Sequence, residues 1–177
     1  MALKIVDVAG LKKSGKTTVV ENIVQELSAR GYKVGTLKKI HIPDFTIDQP
    51  GKDTFRHKQA GAQFVICLAP TEVALIKRQS SRKKIAELME LIPKDTEFLI
   101  CEELNEKRDD ILYIITLTNL NMLEETLKVR AVGEKVLAIS GIVSNTEYAH
   151  KQFPVINSTI EQGRKEIVDL IIKESLA

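Results

Sequence analysis

Short apolar runs and amphipathic segments alternate along the chain. Residues 3–9 are rich in β-branched side chains and predict a strand, whereas residues 17–30 carry apolar side chains at helical spacing and predict a helix. Gly31 suits a left-handed helix end, and residues 32–37 predict a second strand. The first forty residues are therefore predicted to form a βαβ unit with a loop between the first strand and the helix.

The same alternation continues to the end of the chain. Further strands are predicted at residues 64–68, 73–76, 97–101, 111–117 and 135–142, the first two as a hairpin around Pro70, and Ile156 is strand-like. Further helices are predicted at residues 53–61, from Ser80 or Ser81 to 91, at 120–129, and from Ser158 or Thr159 toward 176. The run at 135–142 has little polar character, which is typical of a central parallel strand. This alternation predicts an α/β fold of the three-layer αβα type with a mostly parallel sheet, in one domain over residues 1–177.

Composition narrows the classes of partner. The 177 residues are 44% hydrophobic, and 26 Lys and Arg nearly balance 24 Asp and Glu. A formal net charge of +2 gives no reason to expect binding to nucleic acid or to a membrane. With no bilayer-length apolar run and no signal peptide evident, a cytoplasmic location is expected. Cys67 and Cys101 lie in apolar runs without zinc spacing, and both are predicted to be buried strand thiols in a reducing compartment.

The strongest chemical signal is a loop that matches G-x-x-x-x-G-K-[ST] in full. It follows a predicted strand and opens a predicted helix, which is the context that a nucleoside triphosphate site of the P-loop NTPase type requires. The residues predicted to contact the nucleotide are Gly10, Leu11, Lys12, Lys13, Ser14, Gly15, Lys16, Thr17 and Thr18.

The chemistry explains these residue types. Gly10 and Gly15 permit backbone angles that let successive N–H groups surround phosphate oxygens, and the helix that follows adds its unpaired N–H groups. Lys16 is predicted to reach the β- and γ-phosphates, and Thr17 to offer its hydroxyl to Mg²⁺.

Carboxylates are expected near that metal. Glu102 directly follows the strand at 97–101 and is the first candidate for catalysis and for Mg²⁺ binding. Glu103 is expected to point the other way if the pleat of the strand continues. Asp48 and Asp53, in or beside the long polar segment at 38–52, are further candidates.

Two features leave the function open at this point. A guanine-specific N-K-x-D motif is not matched by Asn119-Leu120-Asn121-Met122, so local sequence does not decide the base. Arg78, Arg82, Lys83 and Lys84 form a basic cluster that would suit a lid over phosphates or a solvated face.

A second motif resembles a known family. Asp48-x-Pro50-Gly51-Lys52-Asp53-Thr54, followed by Ala60-Gly61-Ala62, is similar to the pattern of the molybdopterin-guanine dinucleotide biosynthesis protein B family. That family also has the loop matched by Gly10 to Thr18 and an apolar strand that ends in a Glu, matched by Glu102. The resemblance covers roughly the first 105 residues.

The resemblance implies a GTP-binding P-loop protein with weak GTPase activity and bound Mg²⁺. It implies a homodimer that assists the guanylyltransferase attaching GMP to molybdopterin. By position, Lys16 and Thr17 would serve phosphate and metal, and Asp53 and Glu102 would face the metal or the attacking water.

The chain departs from the family pattern at two places. The family has several histidines after the Lys matched by Lys39, but here His41 stands alone. The family has Gly after the strand-end Glu, but here Glu103 adds a negative charge, which is unfavourable beside a triphosphate unless it turns away or binds metal.

Two alternatives to the adapter function remain. The loop and the basic cluster allow a small-molecule kinase, and Glu103 allows a nucleotide-binding regulatory domain without useful catalysis.

Overall fold

The computed structural model of the chain describes residues 3–78, 84–146 and 149–176. In chain order these residues form β1 (Lys4–Gly10), α1 (Lys16–Ala29), β2 (Val34–Lys38), α2 (Asp53–Gln59), β3 (Phe64–Leu68), β4 (Val73–Lys77), β5 (Phe98–Glu102), β6 (Ile111–Thr116), α3 (Leu123–Val129), β7 (Val136–Ser140) and α4 (Glu161–Leu176). Contacts group the chain into one compact unit of residues 1–39 with 87–177 and another of residues 40–86. The single-domain assignment stays a prediction.

The first unit contains a fully parallel five-stranded sheet. Its order is β2-β5-β1-β6-β7, so β5 lies between the two strands that are consecutive in the sequence. The predicted βαβ unit is present, but its two strands are not neighbours. The residues predicted to form a central strand form β7, which is the last strand in this order. β7 has one further parallel bridge on its outer side, from Ile139 to Val155.

The register brings polar residues to the carboxyl edge of the sheet. Gly10 is opposite Thr116, and Thr116 is opposite Ser140. On the other side of β1, Glu102 is opposite Val8 and Lys38. Because the strands are parallel, the loop after β1 lies at the same edge as Glu102, and ligands of open α/β sheets bind at this edge.

The core explains why the strands pair in this way. Residues on one sheet face, such as Val6, Ile100 and Ile114, pack with Ile23 of α1 and Ile171 of α4 in one hydrophobic cluster. The opposite sheet face is buried as well, at Ile5, Leu99, Cys101, Tyr113 and Ile115. Strands buried on both faces are consistent with their nearly continuous apolar sequences.

The second unit has a small antiparallel hairpin of β3 and β4, as predicted. Its apolar side chains are largely exposed, with Ile66 58% and Leu68 80% accessible. Cys67 lies on this hairpin and is exposed, so the prediction that both thiols are buried is wrong for Cys67 and confirmed for Cys101. Alternating positions in a two-stranded sheet point to opposite faces, and so small a sheet cannot cover both.

The helix predicted to run from Ser80 or Ser81 to residue 91 is not formed in its described part. Two 3₁₀ turns, Ile85–Glu87 and Met89–Leu91, replace it. Ser80, Ser81, Arg82 and Lys83 lie outside the described residues, and Arg82 and Lys83 are two of the four members of the basic cluster. Within the described ranges, no helix is long and apolar enough to cross a membrane.

Candidate functional site

The loop between β1 and α1 has the backbone of a phosphate-binding loop. Two of its residues have positive φ, Lys13 at 64° and Gly15 at 91°. Left-handed residues in a turn direct neighbouring N–H groups to one side and form an anion-binding concavity. The α1 helix begins at Lys16, so its free N–H groups lie where the loop ends.

The ends of β6 and β7 hold the loop in place. The Ser14 hydroxyl donates to Leu11 O at 2.8 Å and lies 2.7 Å from Thr116 Oγ1. The Ile142 N–H donates to Ser14 O at 3.1 Å. A side chain on Gly141 would overlap Ser14 O, and one on Gly10 would overlap Thr116. The loop is thus closely packed against the neighbouring strand ends.

Lys16 folds back over the loop. Its amine donates to Leu11 O at 2.7 Å and to Gly10 O at 3.2 Å, and its side chain is 9% exposed. Burial lowers the pKa of the Lys16 amine, and the nearby Glu103 carboxylate opposes that effect. Because the Lys16 ammonium group is poorly hydrated, its attraction to a bound anion is weakly screened and therefore strong.

Thr17 and Glu102, which are predicted from the sequence to bind Mg²⁺, contact each other directly, and their role at a metal stays a prediction. The Thr17 hydroxyl donates to Glu102 Oε1 at 3.0 Å, and the Lys38 amine donates to Glu102 Oε2 at 3.1 Å. Glu102 is only 8% exposed. The described residues contain no group of three His, Cys, Asp or Glu able to hold a metal. A hydroxyl and one carboxylate nevertheless fit Mg²⁺, which takes few protein ligands and completes its shell with phosphates and water.

Glu103 does not point away from the loop. Its φ of 63° breaks the pleat of β5 directly after Glu102, which removes the condition for the predicted orientation. Its carboxylate lies 3.8 Å from Lys16 Nζ and 2.5 Å from Arg130 Nη2. Two successive glutamates therefore border the loop, Glu102 paired with Lys38 and Glu103 paired with Lys16 and Arg130.

Asp53 lies in the second unit, as the first residue of α2. Its side chain is 85% exposed and lies 3.5 Å from Arg56. Asp48 is buried in the same unit, where it accepts from Thr54 Oγ1 at 2.8 Å and pairs with Lys58 at 3.1 Å. The role of Asp53 at the metal stays a prediction.

Arg130, which follows α3, also reaches the loop and is not predicted from the sequence. Its Nε donates to Gly10 O at 3.1 Å, in addition to its ion pair with Glu103. No motif surrounds this arginine, and it is 120 residues away from the glycine that it contacts. Arg130 comes close to the loop because β1 and β6 are neighbours in the sheet and α3 follows β6.

Asp7 is a second residue near the loop that no sequence motif indicates. It is fully buried on β1, and its carboxylate accepts from the N–H groups of Leu104 at 2.9 Å and Asn105 at 3.4 Å. Asn105 Oδ1 in turn accepts from the Ala131 N–H at 2.8 Å. Asp7 thus stabilises the turn that carries Glu103 and connects it to the backbone next to Arg130.

Asp7 is expected to make stability depend on pH. Burial raises the pKa of Asp7 from 3.8 to about 6, with the two N–H groups opposing the rise. The folded state keeps the proton between these values and the unfolded state loses it, so this contribution to stability is complete below pH 3.8 and lost as the pH rises through 6. A shift of this size corresponds to about 3 kcal/mol.

The Asp7→Asn variant isolates this effect. The free energy of unfolding of the variant minus that of the wild type should increase by about 2–3 kcal/mol between pH 4 and pH 7, measured by urea unfolding. Asp110→Asn is the control, because Arg108 holds the pKa of Asp110 below its usual range, so its contribution is lost only below about pH 3.8 and the difference should stay nearly constant between pH 4 and pH 7. A difference for Asp7→Asn that does not change with pH would contradict the prediction.

The chain is similar in sequence to proteins of one known family. A family model described as molybdopterin guanine dinucleotide synthesis protein B matches residues 5–139, beyond the first 105 residues. A molybdopterin-guanine dinucleotide biosynthesis adapter protein from Haemophilus influenzae is 38% identical over 64 residues, which are 36% of this chain and 35% of the relative. A probable adapter protein of the same kind from Bacillus subtilis is 37% identical over 90 residues, 49% of this chain and 50% of the relative. The chain thus spans half or less of the length of these curated relatives.

Solved structures support the fold. The crystal structure of Bacillus subtilis MobB superposes with a TM-score of 0.73 at 22% identity, covering 94% of this chain and 97% of that one. A structure of a MobB protein homolog from Bacillus stearothermophilus has a TM-score of 0.65 at 18% identity and covers 96% of both chains. At these identities the likeness establishes the architecture, and the α/β prediction is confirmed.

Proposed function

We propose that this chain, which belongs to the molybdopterin guanine dinucleotide synthesis protein B family, is a GTP-binding adapter in molybdenum cofactor biosynthesis. The relatives that carry the name adapter protein support this role. The observation that carries it here is the meeting of Lys16, Thr17 and Glu102 at the carboxyl edge of the sheet, around a loop of positive-φ residues.

In this proposal each side chain has one task. The N–H groups from Lys13 to Thr18 bind the phosphate oxygens, and Lys16 leaves the carbonyls of the loop to neutralise the β- and γ-phosphates. Thr17 and Glu102 hold Mg²⁺, which neutralises phosphate charge when bound. Lys38 holds the Glu102 carboxylate in place through Oε2, while Oε1 faces Thr17.

Hydrolysis is proposed to be slow. The described carboxylates beside the loop, Glu102 and Glu103, are both held by cations in the nucleotide-free protein. Because the oxygens of both carboxylates already contact a cation, neither is free to accept a proton from an attacking water. Slow turnover suits an adapter whose bound nucleotide controls its contact with a partner, here proposed to be a molybdopterin guanylyltransferase.

The preference for GTP is tested by calorimetry. We expect Mg²⁺-dependent binding of GTP, weaker binding of GDP, and clearly weaker binding of ATP and ADP to the full chain. A preference for ATP together with rapid phosphoryl transfer to an acceptor would refute the adapter function and support a kinase.

A homodimer is also part of the proposal. The hairpin exposes Phe64, Ile66 and Leu68 on β3 and Val73 and Leu75 on β4, and exposed apolar clusters commonly mark protein interfaces. A second copy that covers these side chains would remove them from water. Sedimentation velocity at micromolar concentration should therefore show a dimer, and a monomer at all concentrations would refute this part.

A cytoplasmic location completes the proposal. Cys67 and Cys101 are free thiols, and free thiols persist in reducing compartments. Cell fractionation followed by detection of the native chain tests it, and recovery outside the cytoplasm would overturn it.

A further inference from the structure

Two cations of the candidate site share one carboxylate. Glu103 Oε2 lies 3.8 Å from Lys16 Nζ, and Oε1 lies 2.5 Å from Arg130 Nη2. Both cations also donate to the carbonyl of Gly10, Lys16 at 3.2 Å and Arg130 at 3.1 Å. Arg130 therefore lies as close to the start of the loop as the loop lysine does.

We propose that Arg130 binds the terminal phosphate of the nucleoside triphosphate and that Glu103 takes the place of that phosphate in the nucleotide-free protein. The inference rests on the proposed function, because it requires a triphosphate in the loop. It adds a binding residue and explains why a second glutamate can follow Glu102 at this edge of the sheet.

The chemistry of the three side chains supports the exchange. A carboxylate and a phosphate present similar oxygens to a guanidinium group, which binds either one through paired N–H groups. The lysine of such a loop reaches the β- and γ-phosphates, so an anion that bridges Lys16 and Arg130 lies at the γ end of the nucleotide. Glu103 already bridges them in this way.

The backbone around Arg130 is anchored by hydrogen bonds that do not involve the Glu103 side chain. The Arg130 N–H donates to Thr126 O at 2.9 Å, and the Ala131 N–H donates to Asn105 Oδ1 at 2.8 Å. When a phosphate displaces Glu103, these bonds keep the guanidinium group at the loop. The Arg130 side chain is 18% exposed, so its charge is only partly screened by water.

Glu103 is expected to oppose triphosphate binding. Its carboxylate must leave Lys16, and it then stands close to a strongly negative ligand. Its backbone is held by a bond from the Glu103 N–H to Val8 O at 3.1 Å, so the side chain must move while the turn stays in place. A diphosphate lacks the terminal group and need not displace Glu103.

The test is a double-mutant cycle measured by calorimetry on the full chain. The ligands are whichever of GTP and ATP the wild type binds more tightly, and the corresponding diphosphate, both with Mg²⁺. Arg130→Gln should lower triphosphate affinity about tenfold and diphosphate affinity less than about threefold. Glu103→Gln should raise triphosphate affinity about threefold, and Arg130→Gln should still cost about tenfold in that background.

Measuring Arg130→Gln in the Glu103→Gln background separates direct binding of phosphate by Arg130 from neutralisation of the Glu103 carboxylate. If Arg130 acts only by pairing with Glu103, its replacement will have no effect once Glu103→Gln is present, and the proposal is overturned. Equal losses for triphosphate and diphosphate would overturn it too. A Mg²⁺-dependent loss of triphosphate affinity in Glu103→Gln would make Glu103 a metal ligand and likewise refute it.

Two controls protect the result. Arg108→Gln removes a comparable ion pair, with Asp110 at 2.6 Å, and should leave both affinities unchanged. Arg130→Lys keeps the charge and should lose less triphosphate affinity than Arg130→Gln, and thermal unfolding without nucleotide shows whether each variant is folded. If the wild type binds no triphosphate, both the proposed function and this inference are refuted. If the wild type binds triphosphate and Arg130→Gln binds it equally well, only this inference is refuted.

Discussion

Lys16→Ala is expected to lower the affinity of the chain for GTP by at least about 100-fold, roughly 3 kcal/mol. The Lys16 amine is nearly buried and already surrounded by oxygen atoms, from Gly10, Leu11 and Glu103. Its removal leaves the phosphates without their main cation and leaves Glu103 beside them with one partner fewer. Calorimetric titration of both proteins with GTP and Mg²⁺ measures the difference.

Lys12→Ala is the matched control for this experiment. Lys12 lies in the same loop and is exposed, so its charge is screened by water and its loss should change the affinity only slightly. Similar losses for the two variants would indicate general attraction by a basic loop. An unchanged affinity in Lys16→Ala would contradict the site itself.

Gly141→Ala is expected to destabilise the fold by about 3 kcal/mol or more. Gly141 has φ 87° and ψ −152°, a combination that is essentially restricted to glycine. The added methyl group would also overlap Ser14 O, which accepts the bond from the Ile142 N–H. The substitution would therefore displace the phosphate loop as well as strain the turn after β7. Urea unfolding without nucleotide measures the loss.

Gly31→Ala provides the comparison. Gly31 has the same φ of 87°, but an added methyl group there meets nothing within 4 Å. It should cost only about 1 kcal/mol, the cost of the left-handed conformation for an L-residue. Equal effects at the two positions would contradict both the overlap with Ser14 O and the added strain of the Gly141 backbone conformation.

Sequence patterns predicted elements well where one local cause dominates. The apolar spacing of residues 17–30 and the glycine at 31 correspond to α1 and to a residue with positive φ after it. The prediction was wrong after residue 80 in the described part, where Ile85–Glu87 and Met89–Leu91 are 3₁₀ turns. Helical spacing there is short, and Pro93 closes the segment soon after, so local propensity alone was a weak guide.

Glu103 illustrates a second kind of limit. Its orientation depends on whether the pleat of β5 continues for one more residue. The turn after Glu102 is stabilised by Asp7, which lies nearly one hundred residues earlier in the chain. No sequence motif links Asp7 to this turn. A buried carboxylate that accepts two backbone N–H groups can set a left-handed turn, but only the paired strands β1 and β5 bring it there.

The sequence by itself indicated the candidate phosphate-binding loop, because the glycines, the lysine and the threonine that define it lie within residues 10–17 and their backbone geometry is local. It also indicated Glu102, since a polar residue that ends an apolar strand reaches the ligand edge of a parallel sheet. Only the tertiary structure decided that Thr116 and Gly141 support the loop, that Glu103 faces Lys16, and that Arg130 joins them. These contacts depend on the strand order and register of the folded sheet, which bring together residues that are far apart in the chain and carry no shared pattern.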